Sequence, residues 1–309
     1  MKIGGYILKT DAVEKSLLSY GDIFADIANV LLFEGEKEVS GEALEQAVPR
    51  SVYKADGRLR EQERDTAKYW KKEGIRIAFF GFENQGEMED DMPLRIIGYD
   101  GANYRDQIYY VSDEAGKRRK NKNPRYPVVT LVLYFGTQKH WDKPLTLHES
   151  LKGMPEKLKK YVSDYKVNLF EIAWLSDEQV EKFQSDFRIV ADYFVQKRKH
   201  KEYVPSAREI IHVREVLQMM SVFTQDHRFE EAYQEALKEG KEVRNMCEVL
   251  DKIENRGVRK GVRKGVRKGR ILEYIDIRRE DGFSDQEILE GLQEKFHLTA
   301  EQAEKYAGG

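Results

Sequence analysis

Residues 62–100 predict two strands joined by a tight turn and followed by a helix, and the second strand alternates in a way that is typical of one buried face. That face presents Ile75, Ile77, Phe79, Gly81, Glu83 and Gln85. A second strand, which Asp65 opens, precedes it and is joined to it by a tight turn at residues 71–74. Because the first half of this face is apolar, the face should point at a core. The side chains of Glu83 and Gln85 at its end should then point the same way. A buried carboxylate is costly unless it is paired or binds a metal ion.

Length and composition exclude several classes of protein. The 309 residues suffice for about two domains, and the 35% of charged residues are typical of a soluble globular chain. No apolar run approaches the roughly 20 residues of a membrane span, and the N-terminus lacks an apolar signal segment. The only cysteine is Cys247, so no internal disulfide can form, which fits the cytoplasm. The net charge of -2 says nothing about nucleic acid.

Residues 15–33 predict an amphipathic helix. Asp22, Asp26 and Asn29 form a polar stripe along it, which is either a solvated face or one wall of the cleft that Glu83 faces. Residues 51–60 predict a hairpin, since Asp56-Gly57 is a strong turn dipeptide.

A further helix is predicted over residues 93–109, with Pro93 at its first position. Its buried side should contain Leu94, Ile97, Gly101, Tyr104 and Ile108. Its candidates for contact with a ligand are Arg95, Tyr99 and Arg105.

A basic loop at residues 117–125 is expected next, and it is either solvated surface or a phosphate contact. It contains Lys117, Arg118, Arg119 and Lys120. The almost wholly apolar run at 126–135 predicts a central strand covered on both sides, and residues 166–175 predict another strand. The order of elements predicts an α/β core with a mixed sheet over residues 1–175.

Helices should follow at 176–199, 206–224 and 227–255, with capping boxes at Ser176 and Ser206. Residues 256–270 repeat Gly-Val-Arg-Lys three times, with eight basic residues and no acid. The repeat is a linker or a helix, and in either form it is a candidate for phosphate contact. The tail, 271–309, has capping boxes at Ser284 and Thr299 and is acidic overall, which favours protein contact and a homo-oligomer.

Asp65, Glu83 and Gln85 form the most informative set of polar residues. Two carboxylates on adjacent strands can converge on Mg²⁺, and a neighbouring amide can orient the attacking water. Other chemistries are disfavoured, since the chain has no Gly-rich phosphate loop and no G-x-S-x-G elbow, and its histidines are scattered. The acids Asp11, Asp100 and Glu171 have no convincing partner in the sequence.

Five stretches of the chain resemble the Rpn family of recombination-promoting nucleases, which belongs to the PD-(D/E)XK superfamily. In order within residues 18–180 they are GDIFADIANVLLF, LREQERDTAKYW, IRIAFFGFENQ, MPLRIIGYDG and YPVVTLVLYFG. The resemblance implies a restriction-endonuclease-like fold, a mixed sheet flanked by helices, and cleavage of DNA that depends on Mg²⁺ or Mn²⁺.

The same resemblance assigns roles to individual residues. Asp65 matches the motif aspartate and Glu83 the motif glutamate, both as metal ligands. Gln85 stands where the superfamily usually has lysine, and Asp22 matches an acidic position on the first helix. Arg95, Arg105 and the 117–125 loop are weaker candidates for DNA phosphate contacts. The alternative is a nuclease-fold protein that binds DNA or assembles without cutting it.

Overall fold

A five-stranded mixed sheet organises the first of two compact units, Met1–Cys247 and Glu248–Gly309. The computed structural model describes residues 17–48, 50–55, 58–112, 116–121 and 123–308. Asp11 and the turn residues Asp56 and Gly57 lie outside these ranges.

The first unit alternates strands and helices before it becomes helical. Its elements are α1 (Gly21–Leu32), β1 (Leu44–Gln46), β2 (Arg50–Ala55), β3 (Arg58–Glu63), β4 (Thr66–Lys72), β5 (Ile75–Gln85), α2 (Met92–Asp106), β6 (Tyr110–Ser112), β7 (Arg118–Lys120), β8 (Val128–Tyr134), α3 (Leu147–Ser150), α4 (Glu156–Lys159), β9 (Asn168–Glu171), α5 (Asp177–Lys182), α6 (Phe187–His200), α7 (Val213–Thr224) and α8 (Arg228–Lys238).

The sheet has the strand order β1-β4-β5-β8-β9. The β1–β4 and β4–β5 pairs are antiparallel, whereas the β5–β8 and β8–β9 pairs are parallel. Strand β8 lies between two parallel neighbours and is buried apart from Val129, as its apolar sequence predicts. The predicted α/β class with a mixed sheet is confirmed.

Each face of the sheet is covered by its own helices. On one face, Phe24 of α1 stacks on Phe82 of β5 at 4.1 Å between ring centroids. On the other face, Met92 and Ile96 of α2 pack with Val132 of β8. Since side chains alternate along β5, Glu83 points to the α2 side.

The turn between β4 and β5 has the predicted position, and an irregularity follows it. Glu73 and Gly74 have φ angles of 52° and 81°, the left-handed pair that a two-residue hairpin turn requires. Pairing then shifts by one residue next to Trp70, where β5 has an extra residue in a β-bulge. The bulge breaks the alternation, so that Ile75 is 58% exposed and does not share the buried face as predicted.

The predicted β2–β3 hairpin is confirmed, but the predicted buried side of α2 is wrong. Leu94 is 44% exposed and Ile108 is 53% exposed. The buried residues are Met92, Pro93, Ile96, Tyr99, Asp100 and Asn103. The spacing of apolar residues did not predict this side, because two of its buried residues, Asp100 and Asn103, are polar.

The helical part of the first unit is more broken than the sequence predicts. The capping box at Ser176 is present, but no helix starts at Ser206. The buried carboxylate of Asp186 accepts backbone N–H groups of Ile211 at 2.9 Å and His212 at 2.6 Å. It holds that segment outside a helix, so α7 begins only at residue 213.

The chain continues through α9 (Met246–Glu280), α10 (Asp285–Phe296) and α11 (Ala300–Ala307). Residues 256–270 are therefore helical. The second unit has its own core, which comprises Ile271, Ile275, Ile288, Leu292 and Ala303, and both predicted capping boxes are present. Within the described residues, no helix is long and apolar enough to cross a membrane.

Gly81 leaves the space that a buried arginine occupies. A Cβ at this position would lie 2.5 Å from Cδ of Arg64, which is fully buried. Gly81→Ala is therefore expected to lower the free energy of unfolding by about 1–3 kcal/mol in urea denaturation. Gly101→Ala is the control, because a Cβ there meets nothing within 4 Å and alanine favours the helix. Equal stabilities of the two variants would contradict the assignment.

Candidate active site

The register of β4 and β5 brings Asp65 and Glu83 together. Thr66 pairs with Phe82, and one further step sets Asp65 opposite Glu83. Opposed residues on one face have Cβ atoms about 4.5–5.5 Å apart. Asp65 Oδ2 also accepts the backbone N–H of Asn84 at 2.6 Å, which fixes its carboxylate beside β5.

Glu83 has an unusual environment for a carboxylate. Its residue is only 2% exposed, its Oε1 accepts a hydrogen bond from Arg95, and its buried Oε2 has no hydrogen-bond partner. Burial and then the charge of Asp65 raise the pKa of Glu83 to about 8, against the opposing effect of Arg95 and Arg64. In the metal-free protein Glu83 is therefore mostly protonated at neutral pH.

Arg95 extends from the first turns of α2 to the pair of acids. Its Nη2 donates to Glu83 and to the hydroxyl of Tyr99 at 3.1 Å, and its Nη1 donates to Glu89. Its side chain is 33% exposed, so the guanidinium borders both the buried carboxylate and solvent. Arg95 is thus a predicted phosphate-contact residue that lies beside Glu83.

A buried ion pair lies below the acids. The fully buried Arg64 donates through Nη2 to Asp100 Oδ1 at 2.6 Å and through Nε to Thr130 Oγ1 at 3.1 Å. Thr130 and Tyr165 donate their hydroxyls to the same carboxylate of Asp100. The network ties α2 to the sheet: Asp100 lies on α2 and Thr130 on β8, while Arg64 lies two residues before β4 and Tyr165 three residues before β9.

This network was not predicted from the sequence, and the expectation that Asp100 lacks a partner is wrong. Glu171 is also paired, with His140 and with the backbone N–H of Trp141. One signal was present: Asp100 and Asn103 fall four and seven residues after Ile96, on the side of α2 that faces the sheet. The donors that pair with Asp100, namely Arg64, Thr130 and Tyr165, lie 30 to 65 residues away in the chain and are not visible in the local pattern.

The other predicted catalytic residues differ in position. Gln85 lies two residues beyond Glu83 on β5, half-buried and in register with Tyr134. Asp22 lies on α1, which covers the opposite face of the sheet, and its Oδ2 contacts Nε2 of His212 at 3.1 Å. Within the described residues, no group of three or more His, Cys, Asp or Glu side chains converges as a metal site. The structure thus unites Asp65, Glu83 and Arg95 and places Asp22 elsewhere.

The rest of the α1 stripe holds other segments of the chain in place. Asp26 accepts the backbone N–H groups of Gln184 and Ser185. Asn29 is buried and exchanges two 2.8 Å hydrogen bonds with the backbone of Val39. These two side chains therefore neither form a solvated face nor wall a cleft around Glu83.

The basic segment after α2 is not wholly a loop as predicted. Arg118–Lys120 forms β7 and pairs with β6 in an antiparallel ribbon. Lys117, Arg118, Arg119 and Lys120 are exposed, as is Arg105 at the end of α2. The Arg118 guanidinium lies 5.4 Å from the ring centroid of Tyr110. These side chains form an exposed basic surface.

The acid pair fits a hard divalent cation. Such ions prefer oxygen ligands, and Mg²⁺ commonly takes one or two carboxylates together with waters and phosphate oxygens. Glu83 Oε2 is a buried oxygen without a donor, beside a second carboxylate directly across the strand pair. Asp65 and Glu83 are the residues that would hold the ion.

A family model described as "Putative transposase, YhgA-like" matches residues 71–228, just over half of the chain. The chain belongs to this YhgA-like transposase family. The resemblance noted in the sequence is thereby confirmed, and the match includes Glu83, Gln85 and Arg95 but starts after Asp65. No curated protein and no solved structure matches the chain. Membership of the YhgA-like family supports a role related to transposition or recombination.

Proposed function

We propose that the protein is a metal-dependent DNA endonuclease that hydrolyses phosphodiester bonds during transposition or recombination. The observation that carries the proposal is the buried Glu83, with its unpartnered Oε2, opposite Asp65. Burial and the neighbouring charge of Asp65 disfavour the ionised form of Glu83 in the absence of metal. A bound cation would turn this unfavourable pair into a favourable ligand set.

Each side chain of the site has a task in this proposal. Asp65 and Glu83 hold Mg²⁺ or Mn²⁺, which when bound lowers the pKa of water and neutralises phosphate charge. Gln85, on the same face of β5, would orient the attacking water by hydrogen bonding, but it cannot supply a positive charge as lysine would. Arg95, part-exposed beside Glu83, can bind a phosphate oxygen.

The test is nicking of a supercoiled plasmid with Mg²⁺, with Mn²⁺ and with EDTA. The parent should nick only with metal, and Asp65→Asn should be slower by about 10³-fold, because several kcal/mol of transition-state stabilisation are lost. Glu45→Gln is the matched control, since the side chain of this acid of β1 is 37% exposed and is paired with Lys71 and Arg76. It should cut like the parent.

Two outcomes would refute the proposal in different ways. Cleavage by Asp65→Asn at the parent rate would show that the site is elsewhere. DNA binding by the parent without nicking under any metal would instead assign the chain to non-cleaving DNA-binding proteins.

A further inference from the structure

Residues 256–270 of α9 form a strongly basic segment that the proposed cleavage site does not use. The segment contains eight Lys or Arg and no acid. Residues 257–270 are exposed wherever the structure describes their side chains. Since a helix rises about 1.5 Å per residue, the basic segment is about 20 Å long.

The basic side chains share one side of this helix. Each helical residue turns by about 100°, so a four-residue repeat advances by only about 40°. Six of the cations therefore stay within about half of the circumference, namely Arg259, Arg263, Lys264, Arg267, Lys268 and Arg270. The three valines and three of the four glycines lie in the other half, and the helix has one continuous positive face.

The α10–α11 hairpin lies on the same side of α9. Ile271 and Ile275 continue the positive face and are buried against Ile288 and Leu292 of α10. Between helix and hairpin is a groove of about 1080 Å³. Its walls include Lys264, Arg267, Lys268, His297, Lys305 and Tyr306, and no Asp or Glu is among the described side chains that line it.

The uncharged half of α9 argues against other occupants. It presents glycines and the exposed Val258, Val262 and Val266, and lacks the Leu, Phe and Trp that anchor a helix in a membrane. Two copies joined through their positive faces would repel each other. Charge complementarity therefore favours an extended polyanion.

We propose that the positive face of α9 and its groove bind the phosphate backbone of nucleic acid without reading sequence. The repeat places cations about every 6 Å along the helix, and such contacts to phosphate carry no sequence information. The site lies in the second unit, so the inference does not depend on Asp65 and Glu83 being catalytic.

The test measures salt dependence of binding by the full chain. Fluorescence anisotropy with a labelled random-sequence duplex is recorded in EDTA, which prevents cleavage, between about 50 and 200 mM NaCl. The variant Lys264→Gln/Arg267→Gln/Lys268→Gln should reduce the slope of log K against log salt by about 2–3, at about 0.9 per phosphate lost. Affinity at intermediate salt should fall at least about tenfold. The control Lys157→Gln/Lys159→Gln/Lys160→Gln removes three exposed charges from the first unit and should bind like the parent.

The outcomes separate this inference from the cleavage proposal. A triple groove variant with the parent's affinity and slope would overturn the inference. Loss of self-association in that variant, with DNA binding intact, would assign the groove to a second copy and would also overturn it. Circular dichroism checks the helix, which glutamine should preserve. Because binding is measured in EDTA, the slopes of the parent, the groove variant and the Lys157→Gln/Lys159→Gln/Lys160→Gln control test this inference even if nicking is never observed.

Discussion

Glu83→Gln is expected to abolish cleavage and, at the same time, to stabilise the metal-free protein at alkaline pH. Glutamine cannot ionise, so it loses the anionic ligand and also the buried charge. Loss of about 4 kcal/mol of transition-state stabilisation corresponds to roughly a thousandfold slower nicking. Stability and activity should therefore move in opposite directions at one position.

The pH dependence follows from the raised pKa of Glu83. Between the unfolded pKa near 4.5 and the folded pKa of about 8, the folded parent retains a proton that the unfolded chain has released. The contribution of this retained proton to the parent's stability is fully present at low pH. It is lost as pH rises through this window, by about 1.4 kcal/mol per pH unit. Relative to the parent, Glu83→Gln should gain little near pH 5 and about 3–4 kcal/mol near pH 8.

Urea denaturation in EDTA at several pH values measures this difference. Glu45→Gln is a control of opposite sign, because hydrogen bonds from Lys71 and Arg76 lower the pKa of Glu45. A gain for Glu83→Gln that does not change with pH would contradict a raised pKa. In the parent, metal binding must displace the proton, so metal affinity should rise by up to about tenfold per pH unit below pH 8.

Asp100→Asn should be among the most destabilising single changes in the first unit. It leaves the guanidinium of Arg64, which has 0% side-chain exposure, without a negative partner. Removing one member of a buried ion pair commonly costs about 3–5 kcal/mol. Urea denaturation should show this loss with little salt dependence, because buried charges are weakly screened.

A double replacement separates the charge from the packing. Arg64→Met/Asp100→Leu removes both charges, and buried pairs replaced by apolar residues are often as stable as before. The double variant should therefore be more stable than Asp100→Asn alone. If it is less stable, the hydrogen bonds to Thr130 and Tyr165 matter more than charge compensation.

Local patterns predicted the elements well, but long-range polar contacts decided where prediction failed. The two-residue period of β5 placed Glu83 on the buried side, and three of four capping boxes start helices. The fourth, at Ser206, fails because Asp186 binds the backbone that the helix would have used. The buried side of α2 was not predicted correctly because Asp100 is buried where it pairs with Arg64, which lies 36 residues earlier in the chain.

The β-bulge next to Trp70 determines which residue meets Glu83. On the turn side of the bulge Lys72 pairs with Ile75, and continued without the extra residue this pairing would set Asp65 opposite Phe82. With the bulge, Asp65 meets Glu83 instead. A single inserted residue, some six positions from the acids, thus acts as a spacer that aligns two distant sequence motifs. A deletion of the extra residue would leave both acids in the chain, but they would no longer lie opposite each other.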